Sequence, residues 1–356
     1  ITTQASTKVY KCVHGEKTEQ ETIINLEKNS ILEYITDSVI LYKDAIYKQV
    51  NNIYMDESAT LIYSDGITSG WSKEGEEFQY RMMTNVDFEE YLIAINNAQL
   101  IDFIKTSFKN NEPMPFHSLA LEYFDDYLAT GGMPEAVELS INNKNHLLLN
   151  SVYDKVMDTY KKELSSLDNL IDITRSIEVL DSVPFQLQKP NKKFQYGLIK
   201  TGGRSKDYEK AINFLYNNGF VYKSHKISKV KSPLSSCKDL DNFKLYLNDT
   251  GILFSKMYLN KNKFLTDNRI KYTIIENMIA ITLVNAGYNL YYYQSEGKAE
   301  VNFVVQTRIG KIIPIEIVNK NMSKAKSLTL FMNKFDIKEA VRVTEDNFSI
   351  KKGVKY

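Results

Sequence analysis

Hydrophobic residues change their spacing twice along this chain, and that change limits the fold more than any single motif does. Two short apolar runs rich in β-branched residues, Thr22 to Leu26 and Thr60 to Ser64, read as buried parallel strands. Between them, Ile31 to Ile53 places apolar residues at helical spacing, so the opening part is expected to run strand, helix, strand in a parallel sheet. Helical patterns then follow: Asp87 to Phe108, with acidic residues in its first turn, His117 to Tyr127, Glu135 to Leu139 and Ser151 to Leu180. Gly131, Gly132 and Pro134 punctuate this stretch as a loop between helices. The last hundred residues change again: a helix over Lys271 to Asn285, strands over Tyr288 to Tyr293, Glu300 to Gln306 and Ile312 to Val318, a helix over Ser327 to Phe335, and a strand over Glu339 to Thr344. The fold class expected is α/β and multidomain.

A chain of 356 residues suggests two or three domains, and the pattern shifts divide it into 1–110, 111–255 and 256–356. Its 43% hydrophobic and 25% charged residues are ordinary for a globular protein. No apolar run approaches the roughly 18 residues needed to cross a bilayer, which excludes a membrane-spanning reading. Cys12 and Cys237 are too few for a disulfide framework or a thiolate zinc site, so a reducing cytoplasm is expected. His14, His117, His146 and His225 show no metal-ligand spacing, and Trp71 reads as core or rim.

The net charge of +1 hides an asymmetry. Residues 1–110 hold 10 basic against 17 acidic side chains, whereas residues 186–231 hold 11 basic against two acidic. Within the basic stretch, Ser205 to Asn217 reads as a helix with Tyr208, Ile212, Leu215 and Tyr216 on one face, Gly219 as its cap and Phe220 to Ile227 as a strand. Helix, glycine, strand and basic turn outline a winged helix. Lys192, Lys193, Arg204, Lys206, Lys229 and Lys231 are then the candidates for phosphate contacts with nucleic acid. The competing reading is a solvated lysine-rich surface on a helical packing module.

A phosphate-binding P-loop needs glycines that let backbone amides wrap phosphate, followed by Lys and a hydroxyl. Gly15 is the only glycine in the first 65 residues, and Gly15-Glu16-Lys17-Thr18 carries an inserted Glu. No P-loop is read here. Thr60 to Asp65 has the look of a strand delivering a magnesium-binding carboxylate, with a strand-end turn as the simpler role for Asp65.

The order of segments resembles the prokaryotic AAA-type ATPases that join a P-loop domain to a winged helix and a C-terminal restriction-endonuclease-like domain. The resemblance rests on Ile23 to Asn29, Thr60 to Asp65, Val86 to Leu92, Tyr127 to Val137 with its Gly131-Gly132-Met133-Pro134-Glu135, Asn191 to Phe194, Gly202 to Lys206, Pro233-Leu234 and Phe243 to Gly251. It implies a truncated P-loop-type parallel sheet at 1–110, a helical and winged-helix middle at 111–255, and a restriction-endonuclease-like α/β domain at 256–356. Before Val86 the segments are too short for the family's pattern, so the ATPase half is read as eroded: Asp65 is a vestige of a nucleotide site, and ATP hydrolysis is not expected.

The same resemblance places the metal-binding positions of an endonuclease fold at Asn302 and Glu316, the catalytic lysine position at Val318, and an auxiliary carboxylate at Glu276. Asn302 is a weak ligand for a hard cation, and Val318 cannot act on a proton. Because strand side chains two apart share a face, Glu300 joins Asn302 and Lys320 joins Glu316. A displaced nuclease site would therefore use Glu276, Glu300, Glu316 and Lys320, with Lys320 about 7 Å further along its strand than the usual lysine. The leading expectation is a degenerate ATPase-family protein that binds DNA through the basic residues and needs no cofactor. A magnesium-dependent nuclease is one alternative; the other is a non-enzymatic interaction protein using the acidic first third, with a homologue as partner.

Overall fold

The computed structural model describes residues 6–10, 18–42, 45–56, 58–69, 85–142, 146–164, 170–295, 300–318, 327–351 and 354–355. The chain divides into two compact units, Ile1–Arg81 and Met82–Tyr356.

Among the described residues of the first unit, the regular elements are all strands: β1 (Lys8–Val9), β2 (Thr18–Leu26), β3 (Ile31–Ile35), β4 (Val39–Leu41), β5 (Tyr47–Met55), β6 (Thr60–Ser64) and β7 (Ile67–Ser69). Each pairs in parallel with the strand three places later: β1 with β4 and β4 with β7, β2 with β5, and β3 with β6. Thr18 lies opposite Tyr47 and Ile31 opposite Thr60, so the chain returns to the same face after roughly 30 residues. Strands that stack on their own repeat on three separate faces make a short parallel β-solenoid, held by contacts between neighbouring windings.

This corrects the helix expected over Ile31 to Ile53: that stretch is β3, β4 and most of β5. The physical reason is alternation. Along Ile31–Ile35 the side chains are exposed, half-buried, exposed, half-buried, exposed, and short corners between strands turn that period of two into an apparent helical spacing. The β2 and β6 segments are strands as expected, but they belong to different faces, and β6 is half exposed. The corners stack as well. Asn29, in the left-handed region at φ 59°, donates its N–H to Ser58 Oγ one winding on at 2.9 Å, and Ser58 in turn donates to Asp56 Oδ1 within its own corner. Tyr34 and Tyr63 stack with ring centroids 5.5 Å apart.

The second unit carries α1 (Phe88–Ala94), α2 (Ala98–Asn110), α3 (His117–Thr130), α4 (Pro134–Asn142), α5 (His146–Leu164), α6 (Leu170–Leu187) and α7 (Ser205–Asn217). Then come β8 (Val221–Ile227), β9 (Lys238–Leu247), α8 (Thr250–Lys256), α9 (Lys261–Thr266) and α10 (Asn268–Asn285). The chain ends in β10 (Leu290–Gln294), β11 (Glu300–Gln306), β12 (Ile312–Ile317), α11 (Ser327–Phe335), β13 (Ala340–Val343), β14 (Ile350–Lys351) and β15 (Val354–Lys355). The helix expected from Asp87 to Phe108 is two helices, because Asn96 turns left-handed at φ 58° and ends the first. Asp87 and Glu90 start α1 with a reciprocal capping box, at 2.8 and 2.9 Å.

One mixed sheet runs in the order β14-β15-β13-β12-β11-β10-β8-β9, so strands on either side of residue 255 share it. The hairpin that reads as a wing is the edge of this sheet: β8 pairs antiparallel with β9 and parallel with β10. Leu290 joins a large core with residues of α6, α7 and α10, while Tyr291 and Tyr293 pack with Leu328 and Phe331 of α11 in a separate core on the other face. Tyr208, Ala211, Ile212 and Leu215 form the buried stripe of α7. Helices therefore cover both faces of the sheet.

The solenoid sets an asymmetry between adjacent residues. Ile24 is 6% exposed and Ile23 is 59% exposed. Ile24→Ala is expected to cost about 2–4 kcal/mol and to abolish slow hydrogen exchange across β2 and β5. Ile23→Ala should stay within about 0.5 kcal/mol and leave that protection intact. Amide exchange followed strand by strand in the full chain checks both.

Candidate functional site

A group of charged side chains lies in the interior of the second unit, and local periodicity helps to set its members. On β9, Lys244 and Tyr246 lie two apart and share a face. On α10, Tyr272 and Glu276 lie four apart and share a stripe. Glu300 and Asn302 come from β11, Tyr292 from β10, and Lys192 from the segment after α6.

Glu276 stands at the centre. Lys192 Nζ approaches its Oε2 at 2.8 Å, Lys244 Nζ approaches its Oε1 at 3.2 Å, and the Tyr246 hydroxyl donates to Oε1 at 2.7 Å. Asn302 Nδ2 donates to Glu276 Oε2 at 3.1 Å and to the Tyr272 hydroxyl at 2.6 Å, while its carbonyl accepts from the Ile317 N–H at 3.0 Å. Lys244 also donates to Glu300 Oε1. Two ammonium groups thus face two carboxylates. Burial alone would raise the Glu276 carboxyl, but the charges of Lys192 and Lys244 reverse that and bring it down to about 2. The Lys192 amine is pushed down from its usual value by burial, against the pull of Glu276 and with the repulsion of Lys244.

Of the residues drawn into a displaced nuclease site, Glu276 and Glu300 converge on Lys244, while Glu316 is paired with Arg342. Glu276 and Glu300 meet only through Lys244. Glu316 accepts from Arg342 Nε at 3.0 Å and Nη2 at 2.9 Å, and from the Leu328 N–H at 3.3 Å. Lys320 lies outside the described residues. Asn302, offered as a metal ligand, spends its amide on Glu276 and Tyr272 and its carbonyl on the backbone. Among the described residues no group of three or more His, Cys, Asp or Glu side chains is placed to hold a metal ion.

The basic residues assigned to nucleic acid scatter likewise. The Lys192 side chain, 10% exposed, is paired with Glu276, which corrects its assignment as a phosphate contact. Lys193 is half-buried, whereas Arg204, Lys206, Lys229 and Lys231 are exposed. Arg204 precedes α7, its N–H bonded to Asp207 at 3.2 Å. The turn carrying Lys229 and Lys231 is fastened to the sheet: Gln306 accepts from the Leu234 N–H and donates to Ser232 Oγ, both at 2.7 Å. In the first unit, Asp65 accepts from Gln49 Nε2 at 2.5 Å, the Tyr63 hydroxyl at 3.1 Å and the Gly66 N–H at 2.8 Å. Burial, reinforced by that bond to Asp65, pushes the Tyr63 hydroxyl up to about 12. The Gly15-Glu16-Lys17 stretch, with Cys12, His14 and Trp71, lies outside the described residues.

The Gly131-Gly132 pair has an architectural role. Gly132 N–H donates to Asp249 at 2.8 Å, and Asp249 caps α8 through the Ile252 N–H at 3.0 Å. Gly131 sits at φ 79°, and a Cβ there would lie 2.5 Å from both Asp249 Oδ1 and the Tyr153 hydroxyl. The glycine pair lets the chain close on a buried carboxylate.

Comparison with known proteins gives the first unit a different relation from the one expected. A family model described as UreD urease accessory protein matches residues 1–107. The opening of this chain is similar to urease accessory protein UreD. A Streptococcus thermophilus protein of that name is 54% identical over 86 residues, covering 24% of this chain and 31% of the relative. One from Bacillus cereus is 40% identical over 106 residues, covering 29% and 38%. One from Ureaplasma parvum is 34% identical over 200 residues, covering 54% and 63%. That last match is longer than the first unit and therefore runs on into the second. The chain spans less than two thirds of the length of each of these relatives. Two domains of unknown function, DUF8612 and DUF4143, match residues 121–263 and 273–355. No solved structure matches.

These matches overturn the AAA-type ATPase resemblance, and with it the readings as an ATPase-family DNA-binding protein or nuclease and the assignment of nucleic acid as partner. Sequence reasoning missed Lys244, Tyr246, Tyr272 and Tyr292. One signal was available: Lys244 stands inside the buried run Phe243–Leu247, and a charge in such a strand must find a partner. Among the described residues no helix is long and apolar enough to cross a membrane.

The depressed carboxyl of Glu276 links the second unit to pH. A carboxyl lowered from 4.5 to about 2 contributes its stabilisation above pH 4.5 and loses it as pH falls toward 2. Glu276→Gln is expected to cost about 3–5 kcal/mol at pH 7, because it leaves ammonium groups buried without their counter-ion. The gap to the parent chain should close as pH drops from 4.5 to 2. Urea unfolding followed by tyrosine circular dichroism at a series of pH values measures it.

Proposed function

We propose that this chain is a urease accessory factor of the UreD kind, acting in the cytoplasm through protein partners during the maturation of nickel urease, with nickel as cargo rather than a resident cofactor. The observation that carries the reading is the 54% identity over 86 residues to the Streptococcus thermophilus urease accessory protein UreD, together with the UreD match across residues 1–107. The shape of the first unit supports it. A parallel solenoid presents regular rows of outward side chains, including Ile31, Ile35 and Ile62, and such rows suit a protein surface better than a small-molecule cleft. Partners of this kind are urease itself or other urease accessory proteins.

The restriction-endonuclease-like outline of the C-terminal part is proposed as architecture alone. What supports it is the order of elements, α10 leading into the antiparallel β10, β11 and β12, then α11 and the parallel β13.

The test is complementation. The chain is expressed with the urease operon of Streptococcus thermophilus from which the UreD gene has been removed, and urease activity, nickel content and co-purifying proteins are measured. Restored nickel content, with urease or an accessory protein retained on the tagged chain, is expected. Lack of any retained urease component together with inactive apo-urease would overturn the proposal. Ile31→Asp with Ile62→Asp should weaken retention about tenfold or more while leaving the fold intact.

A further inference from the structure

On α6, Arg175 and Glu178 lie three residues apart on one stripe. Across from them stand residues 200–203 and the first turn of α7, and the cleft between has a volume of about 490 Å³. Small-molecule sites commonly span about 300–1,000 Å³. Ile171 and Tyr208 supply apolar surface, and Lys200 and Asp207 bring a second charge of each sign.

The charged groups of the lining keep hydrogen-bonding capacity in hand. The Arg175 guanidinium lies 3.8 Å from Asp207 Oδ1, beyond hydrogen-bond distance, and among the described residues it donates to no acceptor. Lys200 likewise has no ion-pair partner for its ammonium among the described residues. Each carboxylate is fixed through one oxygen: Glu178 Oε2 accepts from the Tyr208 hydroxyl at 2.9 Å, and Asp207 Oδ2 accepts from the Arg204 N–H at 3.2 Å. Their second oxygens accept no hydrogen bond among the described residues. Tyr208 is 3% exposed and part of the main core, so it holds Glu178 from a fixed position.

We propose that this cleft binds a small zwitterion of the α-amino-acid class, with its carboxylate on Arg175 and Lys200 and its ammonium on Glu178 and Asp207. The balance of charge selects that class. Two cations and two carboxylates cancel: a phosphate would have to sit beside both carboxylates, and an organic cation beside both basic side chains. A molecule carrying both signs meets both pairs. A guanidinium with unspent N–H donors can hold a carboxylate through two parallel bonds, and Ile171 with Tyr208 leaves apolar room for a side chain. The proposal is independent of the urease reading and assigns no reaction.

The full chain is titrated by isothermal calorimetry with each of the standard L-amino acids, with inorganic phosphate, and with the N-acetyl and carboxamide derivatives of any amino acid that binds. At least one L-amino acid is expected to bind, and blocking either of its ends should weaken it about tenfold or more. Arg175→Gln and Glu178→Gln, each shown to be folded by circular dichroism, should weaken it as much. Binding by none of the amino acids overturns the proposal, as does affinity that survives Arg175→Gln, or an N-acetyl derivative or phosphate that binds as tightly. Should Arg175→Gln not fold, Lys200→Gln on the exposed turn takes its place: weakened binding supports the site, and unchanged binding overturns it.

Discussion

Taking the ammonium of Lys244 out of water obliges much of the second unit to be where it is. A buried charge without a counter-ion costs several kcal/mol, so β9 can enter the sheet only if α10 brings Glu276 and β11 brings Glu300 to meet it. The segment after α6 is fixed by the same requirement, because Lys192 takes the second oxygen of Glu276. Asn302 completes the arrangement from β11, and its carbonyl ties the site to β12. Glu316 and Arg342 form a separate pair between β12 and β13. There burial outweighs the neighbouring guanidinium and leaves the Glu316 carboxyl raised, the opposite outcome from Glu276 with its two lysines.

The first unit solves a different problem. With Val9, Ile24 and Val39 as its fully buried apolar side chains among the described residues, it has little core in the usual sense. Its order comes from repetition: parallel ladders on three faces, stacked corners, and like side chains set above one another. Tyr47 donates to Gln20 across the β2–β5 ladder, and Gln49 of β5 donates to Asp65 just after β6, so polar side chains satisfy each other within and between faces. A unit built this way presents broad faces of outward side chains.

Much of the second unit was legible residue by residue. The helix at α11, the strand at β11 and the glycine break before α4 followed directly from apolar period and turn chemistry. The solenoid was not legible, because its roughly 30-residue return repeats few residue identities, Gln20 over Gln49, Ile24 over Ile53, Leu32 over Leu61 and Tyr34 over Tyr63 among them. Ile31 to Ile53 illustrates this: β3, β4 and most of β5 imitate a helix when only spacing is counted. The candidate site was half legible. Glu276 and Glu300 were singled out as carboxylates, but Lys192 was read as a surface contact for phosphate, since nothing local distinguishes a buried lysine in a loop from an exposed one. The motif around Gly131 and Gly132 misled for a related reason: it carries an architectural demand, closure on Asp249, and so does not by itself report a chemistry.

By itself, the sequence determined the alternation of helices and strands beyond Val86, the absence of any long apolar run, and the likeness of the opening hundred residues to urease accessory proteins. It also carried the requirement that Lys244, set among buried neighbours, be paired. Only the tertiary structure decided with which groups. Lys192 and Glu276 are 84 positions apart, and Lys244 and Glu300 are 56 apart. Periodicity acts over a few residues, through the pitch of a helix or the pleat of a strand. The partner of a buried charge is chosen by which elements pack together.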